Sequence, residues 1–180
     1  MTSFEYCSLN NWVLDDLKCK HARSIANAER LQLDLIALND VFPADRRKVI
    51  ECFFTSNKYE FIWRRAHYLL DEEDDEPRYT INGFAMLQGG AWKIRGVEDY
   101  WLTRAGDEFR LSRNESDKTG SSVIHVRLES LHGERKNVFV VHCWDPDEEG
   151  IIKRIKKFSS NFSQDLMQDM VICGDIEHSV

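Results

Sequence analysis

Phe84-Ala-Met-Leu-Gln-Gly-Gly-Ala-Trp-Lys-Ile-Arg95 is the stretch on which the fold assignment turns. Upstream of Pro77, apolar residues recur near helical spacing; from here on they alternate. Phe84–Gln88 and Ala91–Arg95 flank Gly89-Gly90, which reads as a hairpin with a two-residue turn. Tyr100–Arg104 and Glu108–Arg113 flank Ala105-Gly106-Asp107, and Val123–Leu131 and Asn137–Trp144 flank His132-Gly133-Glu134, giving two more hairpins. Short connections between consecutive strands call for an antiparallel meander rather than crossover-linked parallel strands.

Upstream of that stretch the pattern is helical. Val13, Leu17, Ile25, Ala28, Leu31, Leu35 and Leu38 suit a helix from Trp12 to about Leu38, with Asn10 or Asn11 as its cap. Pro43 suits the first turn of a second helix with Val49, Ile50, Phe53 and Phe54 as its apolar stripe. Asn57 followed by Glu60 resembles a capping box for a third helix through Phe61, Ile62, Ala66, Leu69 and Leu70. Downstream, Asp145-Pro146-Asp147-Glu148 supplies a cap, a first-turn proline and acids for an amphipathic helix with Ile151, Ile152, Ile155 and Phe158. The expected class is α+β: N-terminal helices packed on an antiparallel meander sheet, followed by a C-terminal amphipathic helix. One domain over 1–180 is expected, divided into a helical part (1–70), an acidic connector (71–77), the sheet (78–144), and a C-terminal helix with an acidic tail (145–180).

The 180 residues carry a formal net charge of −7, distributed unevenly. Residues 1–70 sum to +1 and 77–158 to +2, whereas Asp71-Glu-Glu-Asp-Asp-Glu76 holds −6 and 159–180 hold −4. The overall balance argues against a general DNA-binding protein, but the slightly basic body leaves an anionic partner open. The acidic run lacks the Gly and terminal Glu of an EF-hand loop and reads as a solvated connector. Five cysteines form no CxxC pair. With no apolar stretch of membrane-spanning length and no secretory signal read at the N-terminus, the expected setting is intracellular, cytoplasmic or nuclear, with reduced thiols, no disulfide-linked partner and no membrane.

Parity along the strands sets Trp92, Ile94, Tyr100, Leu102, Phe109, Leu111, Ile124, Val126 and Leu128 on an inward face. The opposite face then holds Lys93, Arg95, Trp101, Thr103, Arg110, His125 and Arg127, a basic and aromatic surface suited to stacked bases or phosphates. Lys93, Arg95, Trp101, Arg110, His125 and Arg127 are the candidate binding residues. Val138, Val140, His142 and Trp144 alternate with Phe139, Val141 and Cys143, so this strand is apolar on both faces and expected to be covered on both.

No Walker A, GxGxxG, GxSxG or HExxH motif occurs, and Cys7, Cys19 and His21 do not make a closed zinc site. His142 and Cys143 are adjacent in a strand and point apart, so the histidine does not activate the thiol. No catalytic residue, cofactor or metal is therefore assigned. The leading expectation is a non-catalytic protein-interaction module: an adaptor, inhibitor or accessory factor that binds a protein partner or itself. The second is RNA binding through the basic sheet face. The third is a small pocket enzyme with His125 or His142 as general base.

Overall fold

The computed structural model describes residues 2–9, 17–41, 47–69, 78–105, 108–112, 121–143 and 169–176. In chain order these form β1 (Tyr6–Leu9), α1 (Leu17–Leu31), β2 (Leu35–Val41), α2 (Arg47–Glu51), β3 (Tyr59–Leu69), β4 (Arg78–Leu87), β5 (Trp92–Ala105), β6 (Glu108–Ser112), β7 (Ser121–Ser130), β8 (Arg135–Cys143) and β9 (Met170–Ile176). They assemble into two sheets, ordered β1-β2-β4-β3 and β6-β5-β7-β8-β9. Most pairings are antiparallel, but β1–β2 and β8–β9 are parallel.

The sheets pack face to face. Leu35, Ala37, Phe84 and Met86 of the first meet Trp92, Ile124, Val126, Leu128, Val138, Val140 and Cys173 of the second in one buried cluster. On the other side of the first sheet, Ile36, Leu38, Val41, Ile81, Ala85 and Leu87 pack with Ile25 and Ala28 of α1 and Ile50 of α2. Strand β2 is thus buried on both faces, with alternate residues feeding two cores. Burying each such large aliphatic side chain contributes about 1.5–3 kcal/mol.

This architecture corrects the expected fold class. The molecule is sheet-rich, with two packed sheets and two helices among the described residues, rather than N-terminal helices laid on a single meander. The long first helix stops at Leu31. Gln32 adopts a left-handed conformation (φ 53°). Its N–H bonds to the Glu29 carbonyl, and the Leu33 N–H bonds to that of Ala28, the pair of bonds that closes a Schellman turn. Leu35 and Leu38, which extend the helical spacing, instead belong to a strand apolar on both faces, a pattern that periodicity does not separate from a helix. The third helix is strand β3 for the same reason: Phe61 and Trp63 pack on the helix-side core and Ile62 on the inter-sheet core.

Gly89-Gly90 turns the chain, but not into a hairpin. Strands β4 and β5 lie in different sheets, and the link bonds elsewhere: Leu87 N–H to the Asp34 carbonyl, Gln88 N–H to that of Lys58. The β5–β6 and β7–β8 strand pairs form as expected. The acidic run 71–76, the 145–158 helix and the Asn10/Asn11 cap lie outside the described residues. The apolar Met170–Cys173 opens β9, a parallel strand absent from the expected meander.

Candidate active site

Three β-bulges shape the strands. In the first sheet, Leu38 pairs with Gly83 and Val41 with Ile81, so Asn39 and Asp40 stand opposite Asn82 alone. Arg65 pairs with Ile81 and Tyr68 with Tyr79, so β3 is bulged a few residues from the same place. Bulges of this kind bend a strand and re-aim its side chains, and they are frequent beside active sites. The third lies in β5 between Ile94 and Gly96.

Around the first bulge the inter-sheet core changes from apolar to polar. Asn39 and Asn82, 0% and 1% exposed, continue the inner faces of β2 and β4 beyond Ala37 and Phe84. Asn39 Nδ2 donates to Ser8 Oγ of β1 at 3.1 Å. Asn82 Nδ2 donates across the sandwich to Ser122 Oγ of β7 at 2.6 Å. Val123 pairs with Val141, which sets Ser122 beside His142 on the neighbouring strand, and His142 is in register with Asp175 of β9. His142 is 1% exposed. Arg64 of β3 is in register with Asn82, and its Nε lies 2.8 Å from the carboxylate of Asp99 on β5. Burial raises the Asp99 carboxyl, a tendency that the Arg64 charge and hydrogen bond counter without cancelling.

A polar row therefore crosses this end of the sandwich: Ser8, Asn39, Asn82 and Arg64 from one sheet, and Asp99, Ser122, His142 and, by register, Asp175 from the other. It lies where β1, β2, β8 and β9, the members of both parallel pairs, reach their C-terminal ends. Buried polar side chains in place of core apolar ones cost stability unless hydrogen-bonded, and here the bonds stitch the sheets together. Backbone geometry enforces the row as well. Gly174, immediately before Asp175, has φ 146°, and a Cβ there would stand 1.8 Å from the Val141 carbonyl oxygen. Only glycine lets β9 approach β8 this closely.

Of the residues assigned from sequence, Lys93, Arg95, His125 and Arg127 lie elsewhere, on the outer face of the second sheet. Arg95 Nε bonds Glu129 at 2.9 Å, Arg127 pairs with Glu98 at 3.2 Å, and Lys93 is in register with Glu129. His125 shares that face of the second sheet but is buried, its Nε2 2.9 Å from Asn137 Oδ1 and its ring stacked on Phe139 at 4.5 Å. The bulge at Arg95 breaks the assumed parity. Beyond it, Tyr100 pairs with Val123 and Trp101 with Ser122, so Trp101 takes the register of the inner positions Ile124 and Val126. Arg110 pairs with Thr103 on the edge strand β6. The structure thus gathers Lys93, Arg95 and Arg127 with acidic partners and places Trp101 on the alternate register.

Ser8, Arg64, Asn39, Asn82, Asp99 and Ser122 were not singled out by the sequence reading. Their signal is a polar residue ending an apolar strand, as in Leu35-Ile-Ala-Leu-Asn39 and Phe139-Val-Val-His142. Thiol chemistry is not favoured: burial pushes Cys7 up to about 11. Cys173 is raised to about 12 by burial and by the nearby Cys7. Among the described residues no three His, Cys, Asp or Glu side chains converge on one point. No described helix is long and apolar enough to cross a membrane.

The two-sheet sandwich with a polar end defines the class to which the molecule is similar. No family model and no curated protein matches the sequence. Solved structures do match its fold. The catalytic domain of human Nocturnin with bound sulfate superposes with a TM-score of 0.54 and 16% identity, covering 89% of this chain and 58% of that one. ANGEL2, a 2',3'-cyclic phosphatase in complex with adenosine-2',3'-vanadate, gives 0.59 and 12%, covering 96% and 53%. D. rerio TDP2 complexed with single strand DNA product gives 0.55 and 14%, covering 96% and 60%. The chain thus spans little more than half the length of these proteins. At such identities the likeness establishes the fold. The expectation of a non-catalytic interaction module with protein binding as its main role is corrected by these neighbours, which include a catalytic domain and a 2',3'-cyclic phosphatase and point to catalysis rather than to an adaptor.

Proposed function

We propose that the chain forms part of a phosphate-ester hydrolase whose site lies at the polar end of the sandwich. One observation carries the reading: the buried row of Asn39, Asn82, Ser122 and His142 closes the inter-sheet core in a fold whose solved neighbours hold sulfate, a nucleotide vanadate and a DNA product. All three ligands are tetrahedral or phosphate-like oxyanions. A site for them needs hydrogen-bond donors held rigid before the substrate arrives, so that no reorganisation accompanies charge development.

The row meets that need as a floor. The Asn39 and Asn82 amides, fixed by Ser8 and Ser122, set the strand ends in place. His142 brings an imidazole to the row, a group suited to taking a proton from an attacking water or giving one to a leaving oxygen.

The test is turnover of adenosine 2',3'-cyclic phosphate and of a single-stranded oligonucleotide, with and without added magnesium, by wild type and His142→Gln. The expected result is hydrolysis of at least one substrate and a loss of about a hundredfold or more in the variant. No hydrolysis, or an unaffected variant, would overturn the reading.

A further inference from the structure

Arg64 stands at the far end of the polar row and does more than tie two strands together. Its Nε goes to Asp99 and its Nη1 to the Trp63 carbonyl at 2.9 Å. A guanidinium has five N–H donors, so three make no hydrogen bond among the described residues. The side chain is 36% exposed, reachable from solvent while its base is fixed. Asp99 anchors it from the opposite sheet, and β3, bulged just beyond it, carries it beside Asn82. Asn82 bonds Ser122, which neighbours His142. Arg64 and His142 thus lie in facing sheets, linked by one strand pairing in each sheet and one hydrogen bond across the gap between them.

A fixed, half-exposed guanidinium with spare forked donors is the side-chain chemistry best matched to a phosphate dianion or diester. We infer that Arg64 contacts a second phosphate of the substrate, flanking the one that reacts at His142, and so favours a nucleic-acid strand over an isolated phosphate ester. The inference rests on the hydrolase reading and extends it to substrate choice. Arg64 is the one described cation in the row, whereas Arg95 and Arg127 lie on the other face of the second sheet with their own carboxylates.

The test uses a dinucleotide phosphodiester with and without a terminal 5'-phosphate, measuring kcat and KM for wild type, Arg64→Gln and Arg64→Lys. Wild type should favour the 5'-phosphorylated substrate by about tenfold in kcat/KM, the scale of one charge-assisted contact. Arg64→Gln should lose that preference through KM, with a larger loss on the 5'-phosphorylated substrate than on the one without the extra phosphate. Arg64→Lys, which keeps the charge but not the fork, should retain part of it. Equal use of both substrates by wild type, or an equal loss on both in Arg64→Gln, overturns the role of Arg64 while leaving the hydrolase reading intact. Turnover of neither substrate by wild type overturns both.

Discussion

The two ends of the sandwich are built to opposite rules. At one end the chain turns tightly and short hydrogen bonds tie the turns to their neighbours. Ser130 accepts the His132 and Glu134 N–H groups, each at 3.1 Å, and Gly133 sits at φ 81° in open space. Glu134 also accepts the Thr2 N–H at 2.7 Å. Glu29 binds both the backbone and the hydroxyls of Thr55 and Ser56. At the other end two strands bulge, the core becomes polar, and parallel strands terminate together. The first end shows how such a sandwich is closed when only stability is at stake. The second departs from that economy at every level, and such departures collect at functional sites.

The sharpest way to break this comparison is Gly174→Ala. A Cβ in contact with the Val141 carbonyl, on a backbone that L-residues rarely adopt, should cost about 3 kcal/mol or more. Urea unfolding checks this, and a loss under about 1 kcal/mol would mean that the β8–β9 approach is not enforced. His142→Gln comes next: about 1–3 kcal/mol in stability from an altered buried polar group, but far more in turnover. Gly133→Ala probes the other end with the same kind of change. Its positive φ is strained but no atom lies nearby, so about 1 kcal/mol is expected, with turnover unaffected.

The smallest effect belongs to Glu29. Burial acts to raise its carboxyl, but the hydrogen bonds from Ser56 and Thr55 outweigh it and hold the group below its ordinary range. Its contribution is therefore present above the unfolded carboxylate range and is lost as the pH falls through the lowered value. Glu29→Gln should lower Tm by a few degrees at neutral pH and flatten the acid limb of the stability profile. Thermal melts from acid to neutral pH check it, and an unchanged acid limb would contradict it.

Legibility in the sequence followed the same division. The β5–β6 and β7–β8 pairs were readable because Gly106 and Gly133 mark short connections between alternating strands. Strand β2 was not, because Leu35, Ile36, Ala37 and Leu38 serve two cores at once and an apolar run covered on both sides has no period to detect. Asn57 and Glu60 mimic a helix start, yet Tyr59–Leu69 pairs along β4, a long-range partner that local pattern cannot reveal. The parity assumed for β5 holds only as far as Arg95: the bulge there reverses the alternation, so Tyr100 joins the side of His125 rather than that of Ile124. His142 was legible from sequence as one of two candidate general bases, with His125, and the register sets it beside Ser122 and in line with Asp175.

The central claim is that chemistry belongs to the polar end and not to the turn end. Its most direct test is turnover of a single-stranded oligonucleotide and adenosine 2',3'-cyclic phosphate by wild type, His142→Gln and Glu29→Gln under matched folding conditions. The expected result is activity in wild type and Glu29→Gln and a loss of about a hundredfold or more in His142→Gln. Equal activity in all three proteins, or none in wild type, would contradict it.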